Sequence, residues 1–325
     1  MILAAALLML GLTILVLGAE LLTRGGAALA RQMRVPPVVI GLTVVAIGTS
    51  TPELAIGIDA AMIGNGPLAV GNIAGTNTVN LLLILGLSAL IHPLALRSQT
   101  IRMDLPVMIL AAFMMLAMSL DGRLSRLDGV VLVGSGIIYT LLVVRSAARE
   151  SRAVRVEFAK EYYQPKVSQG GGRGTVASAV TLVSGIAVIV LGADIFVDAA
   201  VALARMWGVS DAFIGLTVVA MGTSAPELVT TVLSTLKRER DIAIGNLLGS
   251  SVYNIFAVLG ITCLVPAAGV PVTPELIWVD IPVMALVALV CAPIFLSGRE
   301  VSRMEAAALL GSYLAYLAYL LITRT

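Results

Sequence analysis

The stretch Gly41-Leu-Thr-Val-Val-Ala-Ile-Gly-Thr-Ser-Thr-Pro-Glu53-Leu54 returns 174 residues later as Gly215-Leu-Thr-Val-Val-Ala-Met-Gly-Thr-Ser-Ala-Pro-Glu227-Leu228, with two substitutions in fourteen positions. Each copy sets a glutamate behind a proline, a threonine and a serine inside an apolar segment. An ionisable side chain in such a setting is costly in lipid, so finding it twice asks for a function.

The same offset extends outward in both directions. Val16-Leu-Gly-Ala-Glu20 answers Val190-Leu-Gly-Ala-Asp194, Gly71-Asn72-Ile-Ala-Gly75 answers Gly245-Asn246-Leu-Leu-Gly249, and Asn80 answers Asn254. After a slip of two residues, Asp104-Leu-Pro-Val-Met108 answers Asp280-Ile-Pro-Val-Met284. A fixed internal period fixes architecture. The chain is two homologous halves, residues 1–144 and 176–325, joined by a polar segment at 145–175 that reads as a flexible linker.

Composition sets the solvent. Of 325 residues, 59% are hydrophobic and 12% charged, and the mean hydropathy is +1.02, whereas soluble domains carry about a quarter charged residues. Breaking the chain at charges, turns and prolines predicts ten spans near 3–22, 36–62, 67–91, 104–120, 128–144, 176–197, 211–235, 241–265, 277–296 and 304–322, each close to the length a helix needs to cross the hydrocarbon. The expected fold is therefore an all-α integral membrane protein of ten helices. An odd number of spans per half makes the second half enter the membrane from the opposite side, an inverted repeat.

The basic residues supply an independent test. With the N-terminus outside, seventeen Lys/Arg fall on the inward side and four (Arg123, Arg126, Arg205, Arg324) outside, which by the positive-inside rule expects both termini outside and a cytoplasmic linker. These residues sit in short loops and form no stripe, so a nucleic-acid partner is not expected. The first span has no basic residue before Arg24, so it is read as a mature span and not a cleaved signal. Cys263 and Cys291 lack metal-ligand spacing and read as small buried hydrophobes. No feature of the sequence fixes an oligomeric state, and the bilayer itself is the expected neighbour.

In the second span Thr49, Ser50 and Glu53 fall within about a quarter turn, so their oxygens face one way. Pro52 lacks an N–H, so the backbone before it is expected to bend and the Gly48 carbonyl to lose its helical partner. The seventh span repeats this with Thr223, Ser224, Pro226 and Glu227. Thr76 and Asn80 share a face in the third span, as do Ser250 and Asn254 in the eighth. Two carboxylates, two amides and several hydroxyls are hard oxygen ligands suited to Ca²⁺ or Na⁺ as transported ions, and no soft ligand or cofactor is called for.

Other conspicuous residues have plainer readings. The spacings Gly71/Gly75 and Gly245/Gly249 point to tight helix contact. Asp104 and Asp280 each precede a proline at +2, so N-capping is expected. Glu20 and Asp194 suit a vestibule or a structural role equally, His92 ends a span, and Tyr313, Tyr316 and Tyr319 suit packing or the interface. A membrane-embedded hydrolase with Glu53 and Glu227 as acid and base would need unlike carboxylates, whereas the near-identical repeats give the two the same sequence neighbours.

At the paired Gly-Thr-Ser-x-Pro-Glu and Gly-Asn-x-x-Gly-[Ser/Thr]-x-x-x-Asn motifs the chain resembles the cation/calcium antiporter superfamily, especially prokaryotic sodium/calcium exchangers and bacterial inner-membrane relatives, over nearly its whole length. The resemblance implies Glu53 and Glu227 as the principal Ca²⁺ ligands. It implies Na⁺ sites from Thr49, Ser50, Thr223 and Ser224, with the Ala46 and Ala220 carbonyls, Thr76 and Ser250. It also implies that the first and sixth spans slide across the core. Asn80 fits the family pattern, and Asn254 stands where archaeal exchangers have aspartate. With two ionised glutamates the site carries two negative charges, which one Ca²⁺, two protons, or two to three Na⁺ could balance. The expected function is Ca²⁺/Na⁺ antiport, with Ca²⁺/H⁺ antiport as the alternative.

Overall fold

The computed structural model describes residues 1–33, 35–98, 100–149, 172–207 and 220–324. The helices are α1 (Ile2–Met33), α2 (Pro37–Thr49), α3 (Thr51–Met62), α4 (Gly66–Ile91), α5 (Thr100–Ser119), α6 (Arg126–Arg149), α7 (Gly172–Met206), α8 (Ala220–Thr223), α9 (Ala225–Leu236), α10 (Arg240–Leu264), α11 (Leu276–Gly298) and α12 (Arg303–Arg324). Eight described helices are long and apolar enough to cross a membrane, and α2 with α3 make a ninth candidate bent by 41°. The seventh expected span is described only from Ala220 onward, as α8 and α9.

Two expected boundaries were short. The spans placed at 3–22 and 176–197 run on to Met33 and Met206. In α1 the charges do not end the helix, because Glu20 pairs with Arg24 one turn on and with Lys237 beyond α9. A 32-residue helix is about 48 Å long at 1.5 Å per residue, so it must tilt or project beyond a hydrocarbon layer of about 30 Å. The expected linker is also narrower at its edges, since Arg145–Arg149 continue α6 and Gly172 opens α7; residues 150–171 lie outside the described set.

The packing of α1 on α7 shows how the halves are related. A Cβ at Gly18 would lie 2.6 Å from the Ile189 nitrogen, and one at Gly192 would lie 2.7 Å from the Leu15 nitrogen. The 174-residue offset turns Leu15 into position 189 and Gly18 into position 192, so each contact is the other with the halves exchanged. Along the pair, Gly11 meets Phe196, Gly18 meets Ile189 and Gly25 meets Leu182. Equivalent helices thus run antiparallel, the geometry of an inverted repeat.

Helices α4 and α10 form the centre. Their apolar windows are 78% and 83% buried, against 17–44% for the other single-helix spans. They belong to the larger apolar core with parts of α2, α5, α6, α11 and α12, whereas α1 and α7 share a smaller cluster built on Leu15, Ala19, Leu22, Leu182, Ile189 and Ala193. Both central helices widen into π turns, at Val79–Ile84 and Asn254–Leu259. Such turns concentrate at functional sites, and here they begin beside Asn80 and at Asn254.

Short strand pairs tie the halves at the helix ends: β1 (Leu94–Ala95) with β4 (Glu300–Val301), and β2 (Arg123–Leu124) with β3 (Val270–Pro271), both antiparallel. No apolar periodicity announces two-residue strands, and the sequence reading did not include them.

Candidate ion-binding site

Each duplicated motif ends one helix and starts another. Ser50, at φ −81° and ψ 10°, separates α2 from α3, and Ser224, at φ −84° and ψ 3°, separates α8 from α9. Pro52 and Pro226 then occupy the first turn, where a missing N–H is harmless. The expected bend is present, at 41° between α2 and α3, and the Ser50 N–H at the break goes to the Ala46 carbonyl.

Glu53 and Glu227 fall in the first turns of α3 and α9, and both are fully buried. A first turn presents unpaired N–H groups and the positive end of the helix dipole, which favour a carboxylate there. The broken helices thus offset part of the cost of burying two negative charges.

The two halves meet across this point. The Ser50 hydroxyl donates to Glu227 Oε1 at 3.3 Å, as does the Ser250 hydroxyl at 3.3 Å. Thr49 Oγ1 lies 3.1 Å from Asn246 Oδ1 and 3.3 Å from Ser250 Oγ. The repeat counterpart recurs at 3.4 Å from Thr223 Oγ1 to Asn72 Oδ1. Asn246 is held in turn by its Nδ2 donating to Thr231 Oγ1 at 3.0 Å. The Ala46 carbonyl takes the Ser50 N–H at 3.1 Å and lies 3.3 Å from Thr49 Oγ1, whose single proton has the nearer acceptor in Asn246 Oδ1. Ala220 opens the described part of its span, and residues 208–219 before it lie outside the described set.

Symmetry of sequence does not become symmetry of contact. Ser224 and Thr76 are the repeat counterparts of Ser50 and Ser250, yet neither hydroxyl has a hydrogen-bond partner among the described residues, and neither Glu53 oxygen has one. The expectation that both glutamates share the same neighbours is therefore corrected: Glu227 has two hydroxyl donors and Glu53 none. The other buried polar atoms without hydrogen bonds among the described residues include Glu227 Oε2, both Asn80 side-chain atoms, Asn254 Oδ1 and Thr230 Oγ1. Each such atom costs about 1–3 kcal/mol when left unmade, and most are oxygens suited to a dehydrated hard cation. Among the described residues no three His, Cys, Asp or Glu cluster as a metal site; the set is two carboxylates among neutral oxygens.

Asn72, Asn246, Asn77 and Thr231 were not expected here. Asn72 and Asn246 were visible as repeat-matched residues beside Gly71 and Gly245, but the glycine spacing drew the reading toward packing. That packing holds in the second half, where a Cβ on Gly249 would lie 2.7 Å from Ala46 Cβ and one on Gly245 2.7 Å from the Val38 carbonyl.

Asp104 and Asp280 depart from expectation. Neither caps a helix, since both have α-helical backbone angles and no side-chain cap bond. They accept the hydroxyls of Tyr139 at 3.2 Å and Tyr316 at 3.0 Å instead, so Tyr316 has a polar role beyond packing. His92 Nε2 lies 3.1 Å from an Arg240 guanidinium nitrogen, which can only donate, and Nδ1 lies 3.2 Å from the Pro93 carbonyl; the ring closes a helix end. Cys263 and Cys291 are buried and unpaired, as expected.

Comparison with known proteins follows these lines. The sodium/calcium exchanger protein family matches residues 3–145 and 177–322. Inner membrane protein YrbG of Escherichia coli is 35% identical, with 98% of this chain and 97% of that protein aligned. Sodium/calcium exchanger MaX1 of Methanosarcina acetivorans is 31% identical, with 97% of each chain aligned. Among solved structures, the sodium-calcium exchanger NCX_Mj soaked with 2.5 mM Na⁺ and 0.1 mM Ca²⁺ superposes with a TM-score of 0.83 at 29% identity, covering 98% of both chains.

Proposed function

Because the chain belongs to the sodium/calcium exchanger protein family, and is accordingly a multi-pass cation/calcium antiporter and not an enzyme, we propose that it exchanges Ca²⁺ for Na⁺ at the site shared by Glu53 and Glu227. The observation that carries this reading is the burial of both carboxylates, one from each half, among hydroxyl and amide oxygens with lone pairs to spare.

Two ionised glutamates give the site a charge of −2. One Ca²⁺ balances it, and Na⁺ ions placed among Thr49, Ser50, Thr76, Thr223, Ser224 and Ser250 and the Ala46 and Ala220 carbonyls balance it in turn, with Asn80 and Asn254 as neutral ligands. Bare paired charges in a low-dielectric core are expensive to move through an occluded state, whereas loaded ones are compensated. Occupancy by one ion or the other is therefore what permits the transition. The moving part is the α1–α7 pair, whose apolar cluster is separate from the main core. An inner (plasma) membrane placement fits the inner-membrane relative, and the excess of inward basic residues supports both termini outside and the segment between α6 and α7 in the cytoplasm.

Radiocalcium uptake into proteoliposomes separates the coupling ions. An outward Na⁺ gradient should drive uptake with no pH difference imposed. Uptake that answers only to a pH gradient would replace this reading with Ca²⁺/H⁺ exchange.

A further inference from the structure

Position 254 is held in a way its repeat counterpart is not. Asn77 Nδ2 donates to the Ser251 backbone carbonyl at 3.0 Å and lies 3.7 Å from Met284 Sδ, while Asn77 Oδ1 accepts from Asn254 Nδ2 at 3.2 Å. Amide orientation is ordinarily a matter of assignment. Here it is decided by chemistry, because a backbone carbonyl accepts only and must face the Asn77 NH₂ group. The Asn77 oxygen then faces position 254, which must offer a donor.

Asn254 meets that demand and leaves Oδ1 as its remaining atom, buried and without a hydrogen bond among the described residues. It lies one turn beyond Ser250, whose hydroxyl is on Glu227. The first half has no equivalent arrangement. The counterpart of Asn77 is Ser251, whose hydroxyl turns back to the Leu247 carbonyl of its own helix at 2.9 Å, and neither side-chain atom of Asn80 has a partner among the described residues.

We propose that Asn77 is a positioning residue that admits only a hydrogen-bond donor at position 254, so that Asn254 turns its carbonyl oxygen to the transported ion and the site holds two negative charges and not three. This rests on the exchanger reading and sharpens it. An ionised aspartate at 254 would set acceptor against acceptor at Asn77. A third carboxylate should therefore weaken Ca²⁺ binding, although charge counting alone says it should strengthen it.

The test uses the purified full-length protein, with the Ca²⁺-induced rise in melting temperature and equilibrium binding of radiocalcium read in alkaline buffer, well above the usual carboxylate range. Asn254→Asp should raise the half-saturating Ca²⁺ concentration by about tenfold or more, or unfold the protein. Adding Asn77→Ser, whose hydroxyl can donate to a carboxylate, should bring the double variant back to within about threefold of wild type. The proposal is overturned if Asn254→Asp alone binds Ca²⁺ as well as wild type or better, or if the double variant is no better than the single one. A wild-type protein that shows no response to Ca²⁺ overturns the exchanger reading and the proposal together, whereas failure with the wild-type response intact overturns the proposal alone.

Discussion

The hydroxyl of Ser50, in the first half of the chain, donates to the carboxylate of Glu227, in the second, across 3.3 Å. The candidate site thus draws on both halves of the chain. The pairing Thr49 to Asn246, repeated as Thr223 to Asn72, carries the same relationship one turn away.

Removing either negative charge should stop exchange. Glu53→Gln and Glu227→Gln keep the side-chain volume but leave the site at −1, so one Ca²⁺ is no longer balanced. Each should lower Na⁺-driven radiocalcium uptake by at least about a hundredfold, a loss of about 2.8 kcal/mol at 1.4 kcal/mol per decade, with a cooperative melt retained. Wild-type uptake in either variant would remove that glutamate from the site.

The unequal surroundings of the two carboxylates should be measurable. Ser50→Ala removes a hydroxyl from Glu227, and a hydrogen bond to a charged group is worth about 1.5–3 kcal/mol. Half-saturation by Ca²⁺ should rise by roughly ten- to a hundredfold. Ser224→Ala, whose hydroxyl bonds neither glutamate here, should shift it less. Equal shifts would mean that the contacts of Glu227 do not set affinity.

Buried acidity alone does not make a transport residue. Asp104 is fully buried, but it is engaged by Tyr139, and an asparagine could accept the same hydroxyl hydrogen. Asp104→Asn should keep uptake within about threefold of wild type. A loss as deep as that of Glu53→Gln would place Asp104 among the transport groups.

The contact between α1 and α7 should tolerate no added methyl. Gly18→Ala brings a Cβ to 2.6 Å from a backbone nitrogen, and overpacking costs about 1–3 kcal/mol. That outweighs the roughly 0.8–1 kcal/mol of helix propensity gained over glycine. The melting temperature should fall, whereas Gly311→Ala, at an exposed position of α12 with no described atom within 4 Å of the added Cβ, should leave it level or raise it.

Much of this was legible in the sequence, for a physical reason. Ionisable groups in lipid are costly enough that Glu53 and Glu227 stand out, and a 174-residue offset needs only the letters. What was not legible depends on partners far away in the chain. Glu20 suited a vestibule or a structural role equally until Lys237 paired with it. Asp104 looked like a cap until Tyr139 reached it. Asn77 has no sequence signal of its own, because its role is set by the direction of the Ser251 carbonyl. The inequality of Glu53 and Glu227 also arises only in the packed structure, since their flanking letters are nearly the same.

The central claim is that Ca²⁺ and Na⁺ occupy one site built on Glu53 and Glu227, never both at once. Equilibrium radiocalcium binding to the purified protein across a series of Na⁺ concentrations tests it most directly. The account expects the apparent Ca²⁺ dissociation constant to climb with Na⁺ without reaching a plateau, with the number of Ca²⁺ bound at saturation unchanged. A plateau, at which Ca²⁺ and Na⁺ are bound together, would contradict it.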